Sequence, residues 1–358
     1  MTLTKAVVLA QANNAGQARS GARPPRTSLP PAPLLPIANR ALLGHALDWL
    51  AQAGVRDAAV IVPQELAEQA RLAAAGVRDT LSVSWVEQLP HESLAQTLSY
   101  LTGFLDGEPF VLHLADSLAK QSLRSLTAGR AECDAEALLV IDESRGVELA
   151  QVVELRAAAG AGRTRHRTLR HDAAGVAVMS AGALEAVVDL DVAPDQVLEA
   201  LTERIQQRGG QVQTCCVSEW WRFRGGAEAL LDGNRFALEG RRPDYDRAQL
   251  VDSTIQGAVI AHPEARIESS VVRGPAIIGA RAHLRDAYVG PYTSLGDDVV
   301  VEGAEIEHSV VLPGASLSHL GGRLEASVIG PRSRVFRDFR LPRALRLTIG
   351  EGAEVSLT

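Results

Sequence analysis

From about Val251 the chain repeats itself, and that repeat limits what this half can become. Four stretches align: "SVVRGPAIIG" from Ser270, "AYVGPYTSLG" from Ala287, "SVVLPGASLS" from Ser309 and "SVIGPRSRVF" from Ser327. Each has an apolar residue in third place, a small or proline-bearing turn, and a second apolar residue six positions on. The pairs are Val272/Ile278, Val289/Leu295, Val311/Leu317 and Ile329/Val335. A fainter copy starts at Ser253 with Ile255, and the successive spacings are then 17, 17, 22 and 18 residues. Three hexads close one triangular coil in about 18 residues, so the text predicts a hexapeptide-repeat parallel β-helix. A single coil buries its faces only against its neighbours, so several must stack before any is stable.

The preceding residues read differently. Short apolar runs at Ala6–Ala10, Ala58–Val62, Pro109–Leu114 and Ala137–Ile141 suit strands of a parallel sheet covered on both faces. Between them lie amphipathic helical patterns. One runs from Ala41 to Ala53 with Leu42, Leu43, Ala46, Leu47 and Leu50 on one face; another carries Leu94, Thr97, Leu98 and Leu101. This alternation predicts a doubly wound, Rossmann-like α/β domain over residues 1–240, a linker at 241–250 and the β-helix over 251–358.

Ligands of such sheets gather at the carboxyl ends of the strands. The loop after Ala10 and Asp116 both fall there. A loop that cradles phosphate needs inward backbone N–H groups and little side-chain bulk, hence glycine. The loop "QANNAGQAR" offers one glycine, Gly16, and offers it late. Pro24–Pro36 follows, with six prolines in 13 positions, and reads as an extended, partly rigid loop.

A net charge of −7 without a long basic run argues against a nucleic-acid partner. No apolar run approaches the roughly 18 residues of a membrane span, and the N-terminus does not read as a secretory signal. Cys133, Cys215 and Cys216 form neither a disulfide framework nor a metal spacing, which fits buried thiols in a reducing cytoplasm, an expectation for the structure to test. Of the 36 basic residues, lysine occurs only at Lys5 and Lys120. Arginine and lysine are not interchangeable, so a mechanism that needs several lysines is excluded.

Together the two halves resemble the long-form glucose-1-phosphate thymidylyltransferases, which join a sugar-nucleotidyltransferase domain to a left-handed β-helix. The resemblance covers nearly the whole chain. It is carried by "LLPIANRALLGHALDWLAQAGV" (Leu34–Val55), "WVEQLPHESLAQTL" (Trp85–Leu98), "PFVLHLADSL" (Pro109–Leu118), "WWRFRGGAEALLDGNRFAL" (Trp220–Leu238) and "YVGPYTSLGDDVVVEGAEIEHSVVL" (Tyr288–Leu312). The resemblance implies transfer of a nucleotide to a sugar 1-phosphate with release of pyrophosphate, using glycine N–H groups, cations and Mg²⁺.

The motifs for that chemistry depart from the family pattern. Where the family has Gly-Gly-x-Gly-Thr-Arg, this chain has Gln11-Ala12-Asn13-Asn14-Ala15-Gly16, so the side chains of Gln11, Asn13 and Asn14 enter the triphosphate's space. The lysine expected before "LLPIAN" reads Ala32. Asp116 matches the first metal carboxylate, but the second, in the Trp-x-Asp-x-Gly segment, reads Phe223, followed by Arg224 and Gly225. The Glu-Lys-Pro motif has no counterpart in the region of Arg163–Met179. The base-recognition glutamine is matched by Gln88, and the glycine packed on the base reads Ser93.

Two roles are open for each of these residues. Asp116 is a metal ligand or the cap of a helix over Ser117–Leu126. Gln88 reads a base or is a polar surface residue. The cluster of Arg163, Arg165, His166, Arg167, Arg170 and His171 captures a phosphate or carboxylate, or is a solvated basic loop. Trp220 and Trp221 are expected to pack, and His262, His283, His308 and His319 to lie on the coil surface. The expected function is a degenerate family member with a binding cleft for a nucleotide, sugar phosphate or nucleotide-sugar. It would lack pyrophosphorylase catalysis and serve as a partner, through homo-oligomers or an active paralogue. Two alternatives stay open. One is an active nucleotidyltransferase with Mg²⁺ at Asp116 and phosphate contacts rebuilt from Arg26, Arg40 or the Arg163–Arg170 cluster. The other is a cleft turned to a different reaction.

Overall fold

A computed structural model describes residues 3–11, 29–77, 80–127, 135–142, 173–183, 192 and 194–338. The chain divides into two compact units. The first contains the described residues up to Gln11, Pro31–Leu34 and Ala41–Arg222; the second contains 29–30, Leu35–Arg40 and the described residues from Phe223 onward. The helix Gly226–Leu238 therefore groups with the coil rather than with the sheet that precedes it in sequence.

The strands before the coil are β1 (Lys5–Leu9), β2 (Pro36–Ile37), β3 (Arg40–Ala41), β4 (Asp57–Pro63), β5 (Ser82–Gln88), β6 (Phe110–His113), β7 (Ser117–Ala119), β8 (Ala137–Asp142), β9 (Ala173–Met179), β10 (Val212–Val217) and β11 (Trp220–Arg222). Seven of them form one sheet in the order β10-β8-β9-β6-β1-β4-β5. The expected parallel sheet is mixed, because β9 runs antiparallel to both β6 and β8.

Side chains alternate between the faces of a strand, so the sheet separates two cores. Ala6 and Val8 join Leu43, Leu47, Val60 and Val111 on one side; Val7 and Leu9 join Ile61, Leu98, Phe110 and Leu201 on the other. The predicted apolar face of Leu42–Ala53 is buried, at about 2 kcal/mol for each leucine. That helix stops at Gly54, whose φ of 92° lets its N–H return to the carbonyls of Leu50 and Ala51. Within the proline-rich stretch, Ala32–Leu34 makes one 3₁₀ turn rather than extended chain. Among the described residues no helix is long and apolar enough to cross a membrane.

In the second unit three parallel sheets wind as a left-handed β-helix, each strand pairing with the equivalent strand one coil on. Ile267, Leu284, Val301 and Leu317 stack up one inner column; Val272, Val289 and Ile306 stack up a second; Ile278, Leu295 and Val311 stack up the third. The structure corrects the phasing of the repeat. Val311 pairs with Leu295, not with the column of Val289, so the apparent 22-residue step is one coil plus a move to the next face. Most coils are 17 residues long. Strand Gln249–Val251 begins within 241–250, the stretch read as a linker, and Asp244 of the same stretch bridges to Ile260 of the coil.

The same unit holds a tight hairpin, with Ala38 (φ 46°) and Asn39 (φ 59°) left-handed between β2 and β3. Fully buried Asn234 fixes it: Oδ1 accepts from the Ala38 N–H at 3.0 Å and the Ser294 hydroxyl at 2.6 Å, and Nδ2 donates to the Tyr292 carbonyl at 2.9 Å. Asn39 Nδ2 donates to the Leu295 carbonyl at 2.6 Å.

Candidate functional site

Strand β6 is buried at every position and ends at His113. Just beyond it Ala115 adopts a φ of 52°, and its N–H donates to His113 Nδ1 at 2.9 Å. This turn redirects the chain through Asp116 into β7, which pairs antiparallel with β11 and sets Ser117 opposite Arg222. No helix starts at Ser117: these residues are a strand, and the helix begins only at Leu123. Asp116 therefore does not cap a helix over Ser117–Leu126.

Asp116 is paired instead. Arg222 Nε donates to Asp116 Oδ2 at 2.8 Å, with the two side chains 9% and 1% exposed. Arg222 Nη1 donates to the Ala173 carbonyl at 2.8 Å. Gly175, on β9, makes room for the pair. Its φ is +82°, and a Cβ there would stand 2.5 Å from Asp116 Oδ1. Trp220 packs as expected: it is buried, donates through Nε1 to the Ala174 carbonyl at 2.8 Å, and meets Trp49 edge-on. Trp49 also meets His113 edge-on. Burial, reinforced by the charge of Arg222, lowers the His113 pKa to about 3, so its imidazole is neutral.

The divalent cation implied by the resemblance does not fit this donor set. Mg²⁺ takes several hard oxygen ligands, whereas Asp116 already faces a guanidinium. Among the described residues no three His, Cys, Asp or Glu side chains gather to hold a metal. The sequence signalled an arginine near the site but pointed to Arg224; the β7–β11 register brings Arg222. Only a pairing between segments 106 residues apart could have revealed it.

Two other expected residues meet. Gln11, buried just past β1, donates through Nε2 to Gln88 Oε1, and Gln88, the last residue of β5, donates to the Glu92 carbonyl at 3.0 Å. Both side-chain ends of Gln88 are thereby engaged. Ser93 is the N-cap of helix Leu94–Ser99 in a full capping box with Gln96. Its local signature, Ser-x-x-Gln, was present in the sequence. Arg40 lies in β3 in the second unit; burial, and then the nearby charge of Arg40, holds Arg241 below the ordinary arginine range. Asn13, Asn14, Arg26, Arg163 and Arg167 lie outside the described residues.

No protein-family model matches the chain. A glucose-1-phosphate thymidylyltransferase of Streptomyces griseus is 30% identical over 334 residues, covering 91% of this chain and 93% of the relative. One of Streptomyces antibioticus is 27% identical over 332 residues, covering 90% and 93%. The low-salt glycan biosynthesis nucleotidyltransferase Agl11 of Haloferax volcanii is 28% identical over 347 residues, covering 93% and 96%. With its α/β unit, its coil and this match along almost the full length of both chains, the protein belongs to the glucose-1-phosphate thymidylyltransferase family.

Proposed function

We propose that this chain is a family member that has given up pyrophosphorylase catalysis and serves as a binding or regulatory partner of an active relative in a reducing cytoplasm. The observation that carries this reading is the buried Asp116–Arg222 pair. Joining a nucleoside triphosphate to a sugar 1-phosphate brings several negative charges together, and catalysis of such transfers rests on positioning and on cations that neutralise the phosphates. Here the carboxylate that matches the family's metal ligand is neutralised from within the protein. The engagement of Gln88 by Gln11 supports the same reading, because the base-recognition position is turned toward the protein itself.

The test is pyrophosphate release from dTTP and glucose 1-phosphate with Mg²⁺, run beside a thermal-shift screen of triphosphates, sugar phosphates and nucleotide-sugars. The expected result is no turnover, with any stabilising ligand acting equally in EDTA. A ligand at 100 times its Kd should add about 2.7 kcal/mol to stability, which such a screen detects. Mg²⁺-dependent pyrophosphate release that disappears in Asp116→Asn overturns the proposal and favours an active transferase with rebuilt phosphate contacts.

A further inference from the structure

The guanidinium of Arg222 is set among oxygen atoms. Asp116 Oδ2 and the Ala173 carbonyl each accept from it at 2.8 Å. Ser117, directly across the ladder from Arg222, is 2% exposed, and its Oγ is buried with no hydrogen-bond partner among the described residues. Gly175 brings three of these side chains to one place: a Cβ there would lie 2.5 Å from Asp116 Oδ1, 3.3 Å from Arg222 Nε and 3.4 Å from Ser117 Oγ. A carboxylate, a backbone carbonyl and a hydroxyl are the donors a hard divalent cation takes. A guanidinium in that position supplies from the protein the positive charge such a cation would bring.

We propose that Arg222 is a resident cation in an oxygen cradle formed by Asp116, Ala173 and Ser117, and that its side chain is what closes this cradle to divalent metal ions. The inference shares the Asp116–Arg222 pair with the functional reading and deepens it, by naming what replaces the metal and what would readmit one. Asp116 is then neutralised at every metal concentration. Deleting the guanidinium leaves three oxygen donors around a gap.

The experiment uses Mn²⁺ as the probe, read by electron paramagnetic resonance and by thermal shift on the full chain. Wild type should bind no Mn²⁺ that Asp116→Asn removes, and its melting temperature should not respond to the ion. Arg222→Ala should melt several degrees lower, bind one Mn²⁺ per chain, and recover part of the lost melting temperature in millimolar Mn²⁺. Arg222→Lys keeps a cation in place and should ignore the metal. The double variant Asp116→Asn/Arg222→Ala should also fail to respond, because the carboxylate is gone. The cradle is refuted if Arg222→Ala gains no Mn²⁺ response, or if the double variant responds as strongly. Should Arg222→Ala accumulate unfolded, refolding in Mn²⁺ against EDTA and the wild-type titration decide: Mn²⁺ bound by wild type and lost in Asp116→Asn overturns the proposal. Turnover without Mn²⁺ at Asp116 would sink the functional reading and leave the cradle standing; Mn²⁺ at Asp116 without turnover would do the reverse.

Discussion

The molecule uses arginine–carboxylate pairs in two opposite settings. At the end of β6, Asp116 and Arg222 are 1% and 9% exposed. On the β-helix, Arg281 reaches Asp298 at 2.7 Å and Glu264 at 3.3 Å, with every side chain more than half exposed. The distances are alike and the chemistry is the same. The difference is water. On the coil, solvent solvates either partner once the other is gone, so the pairs add little. Beside β6 water is excluded, so losing one partner leaves the other buried without the opposite charge of the pair, Arg222 keeping only uncharged contacts such as the Ala173 carbonyl. A buried pair is therefore evidence of a specified position, while a ladder of exposed pairs is evidence mainly of a polar surface.

The largest expected effect tests that contrast directly. Asp116→Ala should cost about 3–5 kcal/mol in urea unfolding, because it strands Arg222. The apolar swap Asp116→Leu/Arg222→Met should cost far less than the sum of its single variants. Additive losses would mean that the pair is not coupled. Next, Gly175→Ala forces a side chain onto a left-handed backbone and into Asp116 Oδ1; strain alone should cost about 1–3 kcal/mol. Equal stability of this variant would show that the pair has slack.

A third effect comes from pH. The His113 pKa is about 3 in the fold, mainly from burial, against 6.5 for an ordinary histidine. The unfolded chain therefore binds the extra proton between those values, and stability contributed by neutral His113 is complete above pH 6.5 and falls as pH drops toward 3. The slope is about 1.4 kcal/mol per pH unit, or roughly 2 kcal/mol between pH 6.5 and 5. His113→Asn, whose amide oxygen can still accept the Ala115 N–H, should flatten that part of the profile; an unchanged slope would assign it to other groups. The smallest effect belongs to the coil surface. Arg281→Ala should leave the melting temperature nearly unchanged in high salt, where exposed pairs are screened. A large loss there would erase the contrast between the two settings.

What the sequence made legible followed from local periodicity. The coil was readable because its inner apolar residues recur at nearly constant spacing, and its strands fall where the repeats lie. The phase slipped at Val311 because the same short pattern, an apolar residue before a small turn, occurs on more than one face. β1, β4, β6 and β8 were readable as apolar runs, but β9 begins Ala-Ala-Gly, a weak strand signal that tertiary burial overrides. Asp116 and Gln88 could be located from the text, but their partners could not. Those partners lie 106 and 77 residues away and are brought in by sheet order and register, which no local pattern encodes.

The clamp on the Ala38–Asn39 hairpin has a consequence for how the chain is made. Ala38 emerges 196 residues before Asn234, and Asn39 emerges 256 residues before Leu295. At typical rates of synthesis the hairpin waits roughly 10 to 50 s before those partners exist. Until then the clamp that Asn234 and Leu295 place on the left-handed alanine and asparagine is missing. A corner that lies early in the sequence is thus among the last to settle, and the nascent chain carries it open past the completion of everything between.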